Sequence, residues 1–146
     1  MVSSPEKSRA MLIVVIMLLL PSSRVCGQVL HFRNYGVDEG LPDGLVRVME
    51  QGRDGYLWFG SQGGLCRFDG SSFRVYSTGD GLNAVRIRAL HEDRDGQLWI
   101  GSRDHGLIIY DGEEFRPVTV DSPDIPSPEF IHVITADSRG NIWVGA

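Results

Sequence analysis

Lysine is all but missing from this 146-residue chain: Lys7 is the one copy, and from Gln28 onward the basic side chains are arginines and a few histidines. The 19 acidic and 14 basic residues become 18 and 11 once residues 1–27 are set aside, a net charge of −7. That balance excludes nucleic acid and anionic lipid surfaces as partners, because phosphate binding needs a basic face. Cysteine is as scarce. Beyond residue 27 only Cys66 remains, so no internal disulfide and no thiolate metal cluster can form; its place in an expected strand suits a small buried hydrophobe. No apolar run approaches the roughly 20 residues that a membrane-spanning helix needs. Nucleophile elbow, P-loop, dinucleotide fingerprint and zinc-spaced cluster are absent too, so no cofactor or metal is expected and these residues are read as non-catalytic.

What is present begins with an address. Lys7 and Arg9 precede the unbroken apolar run Met11 to Leu20, which Pro21, Ser22 and Ser23 end in a polar, helix-breaking stretch. This is the pattern of a secretory signal peptide over residues 1–27, with Val25 and Gly27 as the small residues before a cut and Gln28 as the new N-terminus. A lipoprotein reading would instead use Cys26, although Val25 sits where such signals want Gly, Ala or Ser. Either reading sends the chain across the inner membrane into the periplasm.

From there one phrase recurs three times: Arg53 to Gly60 (RDGYLWFG), Arg94 to Gly101 (RDGQLWIG) and Ser138 to Gly145 (SRGNIWVG), with Trp58, Trp99 and Trp143 spaced by 41 and then 44 residues. Such a period suits a four-stranded unit repeated around a ring. Leu57 and Phe59 alternate with Trp58, and the other copies alternate likewise, so each strand must be covered on both faces. Blades sandwiched between neighbours supply that cover. Asp54-Gly55, Asp95-Gly96, Asp69-Gly70 and Asp111-Gly112 fall at hairpin tips.

The expected fold is therefore all-β, a partial β-propeller of four-stranded antiparallel blades repeating every 41–44 residues, within a domain over 28–146. One blade spans 46–77, with strands 46–51, 56–61, 65–68 and 72–77. A second spans 87–119, with strands 87–92, 97–102, 107–110 and 114–119; a half blade covers 131–145. His31 to Tyr35 resembles Ser72 to Tyr76 at an offset of 41, which makes 31–35 an outermost strand of the kind that closes a ring on its last blade. Because rings need about 4 to 8 blades, the remaining blades are expected from a longer chain. The isolated stretch should be unstable or aggregate unless copies assemble.

At this point the residues resemble a known family. The phrase D-x-x-G-x-L-W-I-G over Asp93 to Gly101, the G-L-x-x-F/Y-D-G strands over Gly64 to Gly70 and Gly106 to Gly112, and the connectors Thr78 to Leu82 and Glu39 to Leu41 look like the two-component regulator propeller repeat. Trp58, Gly60, Asp69 and Gly70 keep their relative places in Trp99, Gly101, Asp111 and Gly112, and Trp143 and Gly145 begin a third copy. The resemblance implies the N-terminal sensor of a two-component signal-transduction protein. It also implies carbohydrate fragments or another small polar ligand as stimulus. Membrane attachment and a histidine kinase or diguanylate cyclase output would then lie in a C-terminal segment absent here.

The turns between strands one and two and between three and four share one end of the ring, and the irregular connections share the other. Gln62-Gly63 lengthens to Arg103-Asp104-His105, and Thr78 to Val85 lengthens to a segment with Pro123, Pro126 and Pro128. Variable loops on a rigid scaffold are where binding surfaces are built, so Asp43, Gln62, Asn83, Arg103 and His105 are the candidate ligand-binding residues. His91 and His132 stand at nearly equivalent places on inner strands, a conceivable metal pair better read as structural histidines. Asp93 to Gly96 opens like a calcium loop, but Asp104 stands where a bidentate Glu is required. A fragment of a secreted propeller enzyme, glycosidase-like or lyase-like, and a structural scaffold remain the alternatives; a quinoprotein ring fits less well, since Asp-x-x-Gly replaces its Thr-Gly turn.

Overall fold

A computed structural model describes residues 31–119 and 130–146. The expected signal peptide and the proline-bearing connector over 121–129 lie outside the described residues. Of two units, Met1–Arg33 and Asn34–Ala146, the second holds every strand below.

Among the described residues ten strands form three antiparallel sheets in chain order. The first blade is β1 (Val46–Gln51), β2 (Leu57–Ser61), β3 (Leu65–Phe68) and β4 (Phe73–Tyr76), and the second is β5 (Ile87–Glu92), β6 (Leu98–Ser102), β7 (Leu107–Tyr110) and β8 (Phe115–Pro117). A third sheet pairs β9 (Val133–Ala136) with β10 (Ile142–Gly145). Each strand expected within the blades forms, with ends trimmed by a residue or two at the second and fourth strands. Residues 31–36 carry no strand ladder. The outer strand expected over 31–35 therefore does not form here, and both complete sheets end in outer strands of their own; Tyr35 packs edge-on against Phe68 and Phe73, with ring centroids 5.1 and 5.6 Å away.

Blades pack face to face, as the two-sided alternation demands. Between the first and second lie Trp58, Tyr76, Leu82, Ile87, Leu98, Ile100, Ile108 and Tyr110. Between the second and third lie Ala89, Leu107, Ile131 and Ile134. The three tryptophans record how much cover each has received: Trp58 is 4% exposed, Trp99 half-buried and Trp143 62% exposed.

The glycine two residues after each tryptophan has a steric duty. A Cβ at Gly60 would stand 2.6 Å from Ile87 Cγ2 and 2.7 Å from Val48 Cγ1, and at Gly101 it would collide with Ile131 in the same way. Ile87 and Ile131 are fully buried. Each blade thus seats an isoleucine in the notch left by the preceding blade's glycine, a close approach that only a missing side chain permits.

Both complete inner strands carry a bulge. Register slips between Val46 and Val48 and between Ile87 and Ala89, leaving Arg47 and Arg88 as the extra residues. Such bulges bend a strand and re-aim a side chain. Register also corrects the histidine pairing: Glu92 lies opposite Leu98 and Ala136 opposite Ile142, so His91 corresponds to Thr135. His132 corresponds to Arg88, because the three residues added to the period fall before β9.

Candidate functional site

The two ends of the blades differ in what their side chains are already doing. At the hairpin-tip end carboxylates are committed to backbone. Asp69 Oδ1 accepts from the amides of Ser71 and Ser72, both at 2.8 Å, and Asp111 Oδ1 accepts from those of Glu113 and Glu114. Gly70 and Gly112 follow with φ of 97° and 101°, the left-handed conformation that these tips require. The backbone amides hold the Asp69 and Asp111 carboxyls well below the usual carboxylate range.

In the first tip between strands one and two Asp54, beside Gly55, accepts from the Tyr56 amide at 3.0 Å, but in the later copies the working aspartate is not the residue beside the glycine. Asp93 Oδ1 accepts from the amides of Asp95 and Gln97 at 2.9 Å, and its Oδ2 accepts from the Trp99 indole Nε1–H at 2.7 Å. Burial pushes this carboxyl up, but the indole and amide donors outweigh it and the net shift is downward. Asp137 repeats the arrangement with Arg139, Asn141 and Trp143, and its carboxyl is held down to about 2, chiefly by Asn141. In the first copy Gly52 occupies this position. There Glu92 of the next blade reaches across and accepts from the Arg53 amide at 3.2 Å. Arginines strap the same end: Arg53 donates to the Arg94 carbonyl and Arg94 to the Ser138 carbonyl, the aligned residue one blade on.

At the opposite end the strands end in buried serines that organise the variable loops. Ser61 Oγ accepts from the Gly63 amide at 3.1 Å, and Ser102 Oγ accepts from the His105 amide at 2.8 Å. The first loop lies flat, since a Cβ at Gly63 would meet the Pro42 carbonyl oxygen at 2.5 Å. The second is one residue longer and cannot follow that path. Its extra length opens space: a cavity of about 580 Å³ lined by Arg86, Arg103, Asp104, His105, Val118 and Phe130 among others, and another of about 260 Å³ lined by Asn83, His105, Ile108, Phe115 and neighbours.

His105 lines both cavities, and Asn83 and Arg103 line one each. Gln62 and Asp43 do not join them. Gln62 offers its main-chain oxygen to the Arg86 amide at 3.2 Å, and Asp43 Oδ1 accepts from the Leu45 amide at 2.9 Å; both belong to the flat loop system of the first blade. Asp104 stands 3.6 Å from His105 Nδ1, and Arg103 lies over the Phe130 ring at 5.9 Å. Arg86 adopts φ 55°, held by its amide on Gln62 and by its carbonyl, which accepts from Arg103 at 3.2 Å. A non-glycine residue so placed costs about 1–3 kcal/mol of strain. Neither Arg86 nor the buried serines stood out in the sequence reading; the serine following each tryptophan phrase's glycine in the first two copies was the available signal.

Elsewhere the chemistry is quiet. Cys66 is buried in β3, where burial pushes its thiol up to about 11. His91 Nδ1 lies 3.5 Å from Glu50 Oε1 across the inner strands of the two blades. No group of three or more potential metal ligands occurs among the described residues.

Two comparisons bear on this geometry. Residues 40–63 and 81–104 each match the model of the two component regulator propeller, two equivalent stretches that run from the connector through the first two strands of each complete blade. Among solved structures the chain resembles one described as the extracellular domain of a hybrid two component system, BT3049 from B. thetaiotaomicron, at 22% identity with a TM-score of 0.63. The match covers 77% of this chain but 16% of that one, and at this identity it speaks for the fold. No curated protein sequence matches the chain.

Proposed function

Since the chain carries two-component regulator propeller repeats, we propose that residues 28–146 are the N-terminal part of a periplasmic ligand-sensing propeller that is itself non-catalytic. The signal peptide delivers it, further blades complete the ring, and 31–35 closes that ring as the outer strand of the last blade. The loop end takes a carbohydrate or other small polar ligand. What carries this reading is the meeting of two cavities at His105 on the end whose loops vary, while the hairpin-tip end is closed by its own hydrogen bonds. Asn83, Arg103 and His105 there offer both donors and acceptors to hydroxyl groups. The extracellular placement of the structural relative supports the periplasmic assignment.

The test is saccharide binding by the full-length protein, measured by titration calorimetry, with Asn83, Arg103 and His105 changed together to Ala. Loss of about tenfold or more in affinity, with the unfolding temperature unchanged, is expected from removing three polar contacts. Unchanged affinity refutes the loop-end site.

A further inference from the structure

We propose that the loop end is built for an oxyanion, so that the ligand of the site described above, on whose reading this rests, is a saccharide bearing carboxylate or sulfate groups and not a neutral one. The argument starts from where positive charge is left uncommitted. On the hairpin-tip end and outer rim, arginines are engaged: Arg53 stands 3.9 Å from Glu92, Arg74 stands 3.6 Å from Asp80, Arg116 pairs with Asp111, and Arg94 is strapped to Ser138. On the loop end Arg47, Arg86 and Arg88 have no carboxylate partner among the described residues, and Arg103 has only an aromatic ring beneath it. Arg139 and Arg67 break the division: neither has a carboxylate partner among the described residues, Arg67 lying instead over the Tyr56 ring at 4.1 Å near the hairpin-tip end.

Backbone geometry places these groups deliberately. Arg47 and Arg88 occupy the same bulge on neighbouring inner strands, and His132 follows at the corresponding position of the third copy. Arg86 is held in the left-handed region by two main-chain hydrogen bonds and lines the larger cavity. Bulges and strained residues of this sort gather where a side chain must be aimed.

Many of the carboxylates are engaged by neighbours of their own. Several serve as backbone acceptors at the tips, where Asp69, Asp93, Asp111 and Asp137 sit. On the loop end Asp104 is faced by His105, and Asp43 accepts from the Leu45 amide. Arg86 and Arg103 thereby bring two guanidinium groups to the lining of the larger cavity. Guanidinium forks match the paired oxygens of a carboxylate or sulfate and are weakly hydrated, so they suit this task better than ammonium groups would. The absence of lysine beyond Lys7 fits that chemistry.

The experiment titrates the full-length protein with three sets of oligosaccharides, neutral, uronate-bearing and sulfated, at low and at high salt. Binding of the uronate or the sulfated set is expected, identifying which oxyanion is taken, with affinity falling as salt rises. The double variant Arg86→Gln/Arg88→Gln should weaken it by about tenfold, the scale of lost charge-assisted hydrogen bonds. Arg47→Gln, on the other blade, provides an independent variant should the pair fail to fold. Equal binding of neutral sugars, or anionic binding that these variants leave intact, overturns the oxyanion assignment and leaves the sensing site standing. Binding of no saccharide of any set overturns both.

Discussion

Replacing Gly60 by alanine sets two opposed effects against each other. The conformational gain is ordinary: where the backbone is compatible, Gly→Ala stabilises by about 0.4–1 kcal/mol through the unfolded chain, and Gly60 is not among the glycines of positive φ. The steric loss is larger. The new methyl would lie 2.6 Å from Ile87 Cγ2, 2.7 Å from Val48 Cγ1 and 3.0 Å from Ile87 Cβ, within a core whose isoleucine is fully buried. Overpacking of this kind costs about 1–3 kcal/mol, so a net loss of about 1–2 kcal/mol is expected. It should fall on the contact between the first two blades, since repeat proteins concentrate such effects at nearest-neighbour interfaces. Urea unfolding of the full-length protein followed by tryptophan fluorescence reads it, because Trp58 is buried at that contact. Ile87→Ala alone should cost about 2–5 kcal/mol. Combined with Gly60→Ala it should cost less than the two losses together, by about 1 kcal/mol, the relief being partial because Val48 remains. Stabilisation by Gly60→Ala, or strict additivity in the double variant, would sink the notch-and-isoleucine account of blade packing.

Two further outcomes follow from side chains already placed. The Tyr76 hydroxyl is buried with no well-aligned hydrogen-bond partner among the described residues, the neighbouring Tyr110 hydroxyl being spent on the Gly112 carbonyl, and burial, helped by Tyr110, pushes its phenol up to about 12. Tyr76→Phe should therefore be neutral or stabilise by up to about 1 kcal/mol, since it removes an unsatisfied polar group while keeping the ring; a clear fall in unfolding temperature would show a partner that this geometry lacks. The tip carboxylates predict acid sensitivity. Asp69, held down by the Ser72 and Ser71 amides, and Asp137, held down to about 2 by Asn141, are ionised in the fold at pH values where the unfolded chain, with a carboxyl near about 3.9, takes up protons. Their stabilisation is complete above that unfolded value and is lost as pH falls toward 2, so urea midpoints should be level above about pH 5 and decline below about pH 4. Midpoints that stay flat down to pH 2 would contradict it.

Much of this molecule was decided locally and could be read along the chain. Alternation around Trp58, Trp99 and Trp143 and the recurring Asp-Gly tips depend on residues a few positions apart, and the strands they define are the strands that form. Even the end on which binding residues were sought follows from counting inserted residues. What escaped the one-dimensional reading required a second blade. Asp93 and not Asp95 caps its tip, because only the former can meet both backbone and indole. His132 answers to Arg88 instead of His91, because the added length falls before the strand and not after it. Asn83, Arg103 and His105 share a cavity region that Asp43 and Gln62 do not, because Gly63 lies flat on Pro42 while the longer loop must lift away. Gly60 is indispensable only because Ile87, twenty-seven residues later, arrives in its notch. Period and pleat come from short-range sterics and hydrogen bonding; the notch, the cavity and the uncommitted arginines come from the packing of one sheet on the next, which no single repeat contains.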